Sequence, residues 1–237
     1  MKTAVLIDGG FYLKRYKYIY HEKPEDPVVV AKRLHELALK HLDEKHSGKD
    51  IENVLYRIFY YDSFPFNKKI HNPISKKIID FSKTNVSVFR IALFNELRKK
   101  RKVALRLGNI KDSFEWQIWP KKVKDLLAQN ITVADLTEND IFYSMRQKGV
   151  DIKIGLDIAS LAYKRLVDRI ILVSGDADFV PAAKVARREG IDFILDPLWN
   201  NIDEDLFEHI DGLKSVCNKP EHHRQVHKKQ KNHKLNH

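Results

Sequence analysis

Four aspartates draw attention by where they fall. Asp8 closes the short apolar run at residues 3–7 and is followed by Gly9-Gly10. Asp176 and Asp178 come directly after the apolar run Ile170-Ile171-Leu172-Val173, within Ser174-Gly175-Asp176-Ala177-Asp178-Phe179. Asp157 lies between Leu156 and Ile158, where a lone carboxylate is costly unless something pairs with it. Carboxylates brought together repel one another, and a hard divalent cation relieves the repulsion. Mg²⁺ and Mn²⁺ favour oxygen ligands and keep several waters. One or two such ions can activate a water and stabilise in-line displacement at a phosphodiester. Each acid also has a plainer role. Asp8 can close a turn, Asp176 or Asp178 can cap the next helix, and Asp151 stands where an N-cap is expected. Six residues of helix rotate Asp151 about 240° away from Asp157, so the two need not face one site. Taken together at strand ends, the four acids read as a site.

Such a site needs elements to carry it. Residues 3–7, 53–61, 103–107 and 191–195 are short, apolar and β-prone. The unbroken apolar run 170–173 has the character of a parallel strand covered on both faces. Helical stretches are expected from Phe11, from Pro27 (with Val30, Leu34, Leu37, Ala38 and Leu42 on one face), at 74–82, at 86–100 and after Gly149. Two more follow, at 179–188 and 203–213. Strands alternating with helices through short joints predict an α/β fold with a doubly wound, mainly parallel sheet. Ligands of such sheets sit outside the carboxyl ends of the strands, so Asp8 and Asp176 can meet there despite their separation in sequence. Residues 1–217 read as one domain, with 109–137 as an insertion or a helical cap. Residues 218–237 read as a disordered tail.

The 237 residues carry 43 Lys+Arg against 32 Asp+Glu, a net charge of +11, which points to a polyanionic partner. The densest basic run is Arg98-Lys99-Lys100-Arg101-Lys102, followed by Arg106, a candidate phosphate-binding surface whose plain alternative is a solvated helix face. The tail holds six Lys and Arg, one Glu and five of the eleven histidines, with Val226 and Leu235 its only aliphatic residues. It can hold RNA or simply aid solubility. The single Cys217 excludes an intrachain disulfide framework and a multi-cysteine zinc site. The first apolar run stops too early for a signal peptide, and no stretch approaches the ~20 apolar residues of a membrane span. A cytoplasmic protein without membrane contact is expected. No Walker A motif is present, which excludes a P-loop NTPase.

Three segments carry a resemblance. Ile7-Asp8-Gly9-Gly10, Lys148-Gly149-Val150-Asp151 with Asp157 beyond it, and Ser174-Gly175-Asp176-Ala177-Asp178-Phe179-Val180-Pro181 resemble the NYN domain, in particular its LabA-like subgroup. Tyr60-Tyr61-Asp62 and Leu105-Arg106-Leu107-Gly108 are similar to that subgroup as well. NYN domains resemble PIN domains, metal-dependent ribonucleases with a Rossmann-like parallel sheet. The resemblance implies RNA as partner and substrate and Mg²⁺ or Mn²⁺ as cofactor. It implies Asp8, Asp157, Asp176 and Asp178 as the catalytic, metal-holding acids, with Ser174 shaping the late loop and Asp151 as an accessory. Arg98, Lys99, Lys100, Arg101, Lys102 and Arg106 would hold the RNA backbone. Many members have Asn three residues after the first Asp, where this chain has Phe11. Phe11 favours the alternative, a non-catalytic RNA-binding or regulatory module. A phosphatase or glycosyltransferase built on Asp-x-Asp is a third class; the phosphatase expects that motif at the first strand, where position 10 is glycine, and the glycosyltransferase would place it on a nucleotide-sugar site. Assembly into a homo-oligomer is left open.

Overall fold

Side-chain alternation along the first strand already dictates a layered architecture. In the computed structural model, which describes residues 1–43, 45–46, 49–50, 53–110, 115–145 and 147–220, strand β1 (Lys2–Asp8) leads into helices α1 (Gly9–Tyr20) and α2 (Pro27–Lys40). Strand β2 (Val54–Ser63), helix α3 (Asn85–Arg98) and strand β3 (Val103–Ile110) follow. Next come β4 (Glu115–Ile118), α4 (Pro120–Leu127), β5 (Ile141–Ser144) and the short β6 (Gln147–Lys148). The chain then runs through α5 (Val150–Tyr163), β7 (Arg169–Val173), α6 (Val180–Arg188), β8 (Asp192–Asp196), α7 (Glu204–Glu208) and β9 (Gly212–Leu213). Most of the tail expected at 218–237 lies outside the described residues.

On β1, Ala4 and Leu6 face one way and Val5 and Ile7 the other, and all four are fully buried. Strand β7 divides Ile170 and Leu172 from Ile171 and Val173 in the same manner. A strand buried on both faces needs a helix layer on each. Tyr12 and Tyr16 of α1, Leu34 of α2 and Phe94 of α3 fill one layer; Ile154 and Ile158 of α5, Ala183 of α6 and Leu206 of α7 fill the other.

The main sheet has the order β6-β3-β2-β1-β7-β8-β9. Six strands are parallel, and the edge strand β6 runs antiparallel to β3. The chain builds outward from β1 through β2 and β3, then returns to the opposite flank of β1 and builds outward again from β7. The winding therefore reverses between β1 and β7, and the crevice at a switch point of this kind opens beyond the carboxyl ends. Ile7 pairs with Val173, so Asp8 and Ser174 emerge side by side into that crevice.

Some elements differ from expectation. The helix predicted at 74–82 is replaced by a strand at Ile78–Asp80, paired antiparallel with Lys69–His71, and a single 3-10 turn at Phe81–Lys83. Asn72 Oδ1 accepts from the backbone N–H groups of Ile74 and Ser75, which fixes a turn around Pro73, and β-branched Ile78-Ile79 then favours extended backbone. The helix predicted at 203–213 stops at Glu208, and Gly212–Leu213 instead adds an edge strand beside β8. The stretch read as an insertion or cap holds β4 and α4, and β4 pairs with β5, which lies just beyond it, as a ribbon that brackets α4, with Trp119 stacked on Phe142 at 4.2 Å. Among the described residues, no helix is long and apolar enough to cross a membrane.

Candidate functional site

Asp8 ends β1 and caps α1, its Oδ1 accepting from Phe11 N–H at 3.0 Å. The next residue must be glycine. A Cβ on Gly9 would lie 2.4 Å from Tyr60 Cζ and 2.7 Å from the Tyr61 carbonyl oxygen, so a larger residue would push α1 off β2. Asp176 also acts as a cap, accepting from Asp178 N–H at 3.0 Å, while its own N–H donates to the buried Ser174 Oγ at 3.4 Å. Capping and site formation are thus compatible, because the capping bonds hold both carboxylates at the crevice. The N-cap of α5 is Gly149, at φ 84°, rather than Asp151. Asp151 sits in the first helical turn and leans over the same crevice. Together Asp8, Asp151 and Asp176 line a pocket of about 460 Å³ with Lys14, Asn200 and Asp203.

The electrostatics show that these acids sense one another. Burial pushes the Asp8 carboxyl above its ordinary range, and the charges of Asp151 and Asp62 push it further, against opposing hydrogen bonds from the Phe11 and Gly10 amides. Asp151 is raised as well, first by burial and then by Asp176 and Asp178. Asp62, at the end of β2, is buried and closed off by Arg90, Tyr60 Oη at 3.1 Å and Ser63 N–H at 2.8 Å. An all-oxygen set of mutually repelling carboxylates suits a hard divalent cation. The oxygens are not drawn tightly together. Among the described residues, Asp205, Glu208 and His209 form the only trio of potential ligands within 4.8 Å of one another, and they lie at α7 outside the pocket. The pocket therefore leaves room for an ion that retains water.

Asp157 is held elsewhere. Its Oδ2 accepts from Arg106 Nε at 2.8 Å and from Tyr61 Oη at 2.8 Å, and Arg106 in turn lies over the Phe59 ring at 5.0 Å. Helical rotation separates Asp157 from Asp151, and Arg106 is committed to this pair rather than to the crevice. Asp178 is exposed and lines a neighbouring groove with Asp151 and Asp205. The run Arg98–Lys102 follows α3 and precedes β3, so it sits at the amino ends of the parallel strands, opposite the acids. The eight residues of β3 span about 26 Å between those edges. Part of the run is also engaged locally. Arg98 bonds Asn95, Lys99 pairs with Glu96, and Lys102 donates to the Leu55 carbonyl.

Three polar residues of the pocket, Lys14, Asn200 and Asp203, were not singled out from the sequence. Lys14 lies one helical turn past Gly10 on α1, which is the one sequence signal that could have found it. Asn200 arrives through tertiary structure alone. Leu198 and Trp199 both adopt left-handed φ, 48° and 61°, conformations that cost on the order of 1–3 kcal/mol each in non-glycine residues. The loop is held by Leu198 N–H on Asp196 Oδ1 (2.8 Å), Arg15 on the Leu198 carbonyl (2.9 Å) and Trp199 N–H on Ser215 Oγ (3.2 Å). Phe11 packs over Gly175, where a Cβ would lie 2.7 Å from Phe11 Cε2 and 3.3 Å from Asn200 Nδ2. An amide thus lines the crevice although position 11 carries none. Burial pushes the Cys217 thiol up to about 12, which leaves it unreactive.

Fold and site together define a doubly wound, Rossmann-like α/β protein with an acidic pocket at the sheet's switch point. The chain belongs to the NYN domain family, a PIN-like nuclease family, whose model matches residues 50–201. That span includes Asp151, Asp157, Asp176, Asp178 and Asn200, while Asp8 on β1 precedes it. A crystal structure of a protein of unknown function from Vibrio parahaemolyticus is similar over 90% of each chain, at 15% identity and a TM-score of 0.44. No curated protein matches the chain.

Proposed function

We propose that this protein is a divalent-metal-dependent ribonuclease that hydrolyses RNA phosphodiester bonds in the pocket formed by Asp8, Asp151 and Asp176. The observation that carries this reading is the convergence of carboxylates from three separate elements on one pocket at the switch point, where burial and neighbouring acids raise both Asp8 and Asp151. In this reading Asp151 takes the place that the family resemblance gave to Asp157. Asp178 acts through its charge on Asp151, and Arg98–Lys102 and Arg106 have no part in holding RNA at the pocket.

Asp8, Asp151 and Asp176 would hold Mg²⁺ or Mn²⁺, with Ser174 shaping the loop. When bound, the ion supplies charge neutralisation and a more acidic water for an in-line displacement. The protein's own contribution is placement. The Phe11 and Asp178 amides orient the carboxylates, Gly9 lets α1 start close to the sheet, and Lys14 holds a phosphate at the mouth. RNA rather than DNA rests on the family, the LabA-like subgroup on the motifs, and a single domain over residues 1–217 on the continuous sheet. A second reading, an RNA-binding module without turnover, is favoured by Phe11 beside Gly175 and by acids that stand apart. Cleavage of a labelled single-stranded RNA in Mn²⁺ separates the two. Cleavage by the natural chain that is lost with EDTA and in Asp176→Asn supports the nuclease. Equal background from both proteins, with salt-sensitive binding retained, supports the module.

A further inference from the structure

We infer that the apolar cleft next to the acid pocket binds an unstacked nucleobase of the RNA strand whose phosphate lies over the acids. This rests on the nuclease reading and names its substrate class, single-stranded or looped RNA read at one nucleotide beside the scissile bond.

The cleft measures about 630 Å³, within the size range of small-molecule sites. It adjoins the acid pocket, and Gly10 and Lys14 line both. Its walls include Phe66 and Phe81, edge to face with centroids 5.3 Å apart, and Tyr143 backs both rings at 5.8 Å. Flat apolar walls beside a cation are the recurrent means of holding an unstacked base.

A polar side chain in the cleft points to a ligand independently. Ser63 lines it, is 1% exposed, and its Oγ has no hydrogen-bond partner. Buried hydroxyls in folded proteins are nearly always satisfied. The edge of a base offers both donors and acceptors and would satisfy this one. Lys14 stands at the boundary between the two cavities, where the phosphate joining two nucleotides would pass. A base paired within a duplex cannot enter without leaving its stack, so the cleft selects unpaired RNA.

The test is a ligand-observed NMR titration of the full chain in EDTA with adenosine, guanosine, cytidine and uridine, and with ribose as the control. At least one nucleoside is expected to bind, and ribose is not. Val86 is 64% exposed on the first turn of α3 and lines the cleft, so Val86→Trp blocks it without touching the core. That variant should weaken nucleoside binding at least about tenfold. Ser63→Ala should change the ranking among the four bases. The inference is overturned if no nucleoside binds, if ribose binds equally well, or if Val86→Trp binds like the natural chain. Nucleoside binding without RNA cleavage would keep this inference and sink the nuclease reading; cleavage without nucleoside binding would do the reverse.

Discussion

Asp151→Asn and Asp157→Asn lie six positions apart on α5 and are expected to act in opposite ways. The Asp157 carboxylate is tied to Arg106 and Tyr61 at 2.8 Å each. Hydrogen bonds to charged groups contribute about 1.5–3 kcal/mol, and the 42% exposure of the Arg106 side chain puts this pair at or below the lower end. Asparagine keeps an acceptor for Tyr61 and loses the charge opposite Arg106. The expected loss is about 1 kcal/mol, or about 2–4 °C in Tm for a chain of this size, with Mn²⁺ binding unchanged. Asp151→Asn instead removes a carboxylate that burial and the charges of Asp176 and Asp178 already disfavour. Metal-free stability should hold or rise. The Asp8 carboxyl should titrate closer to its ordinary range, because Asp151 is the strongest charge acting on it. Outer-shell substitutions at metal sites cost 10–100-fold in affinity, so losing a direct ligand should cost about 100-fold, or about 2.8 kcal/mol. Electron paramagnetic resonance titration with Mn²⁺ and calorimetric melting in EDTA read the two effects separately. Loss of Mn²⁺ affinity in Asp157→Asn, with full affinity in Asp151→Asn, would refute this reasoning.

Other predictions follow from the same geometry. Asp8→Asn keeps an N-cap while removing a carboxylate that is costly to ionise in the fold, so in EDTA at neutral pH it should melt above the natural chain. The sign follows from the raised pKa. Asp8 stabilises the fold below its unfolded value of about 3.9, and that contribution is lost as pH rises through the higher folded value, so the gap between the two proteins should close in acid. An unchanged gap between pH 3 and 7 would contradict the assignment. Lys14→Gln should weaken single-stranded RNA binding and lower the slope of log affinity against log salt by about 1, whereas Lys100→Gln should leave both unmoved in filter binding. His41 Nε2 meets Asp196 Oδ2 at 2.9 Å with both side chains fully buried, at the base of the loop that delivers Asn200. Leaving the buried Asp196 carboxylate short of this hydrogen-bond partner costs about 1–3 kcal/mol, so His41→Ala should lower the calorimetric Tm by roughly 2–12 °C.

The strands were legible because burial on both faces writes an unbroken apolar run, as at Ile170–Val173, and the strand-end acids Asp8 and Asp176 were legible with them. The buried face of α5, with Ile154, Ile158, Leu161 and Ala162, was legible as well. Which of its carboxylates overlooks the crevice was not, because Ile152 and Leu156 are 67% and 64% exposed and apolar residues surround the helix. Charge density alone does not say at which end of a sheet a basic run sits; Arg98–Lys102 stands at the amino ends because it directly precedes a strand that pairs parallel to its neighbour. Asn200 depends on two left-handed residues held by Arg15, Asp196 and Ser215, contacts made across long sequence separations. The helix expected at 74–82 failed because a turn set by Asn72 overrode weak local periodicity.

The most direct test of the central claim is a crystal soaked in Mn²⁺ and measured by anomalous diffraction at the manganese edge. A peak is expected among Asp8, Asp151 and Asp176, with Asp157 still paired to Arg106. A peak coordinated by Asp157, or manganese bound only at Asp205, Glu208 and His209, would contradict it.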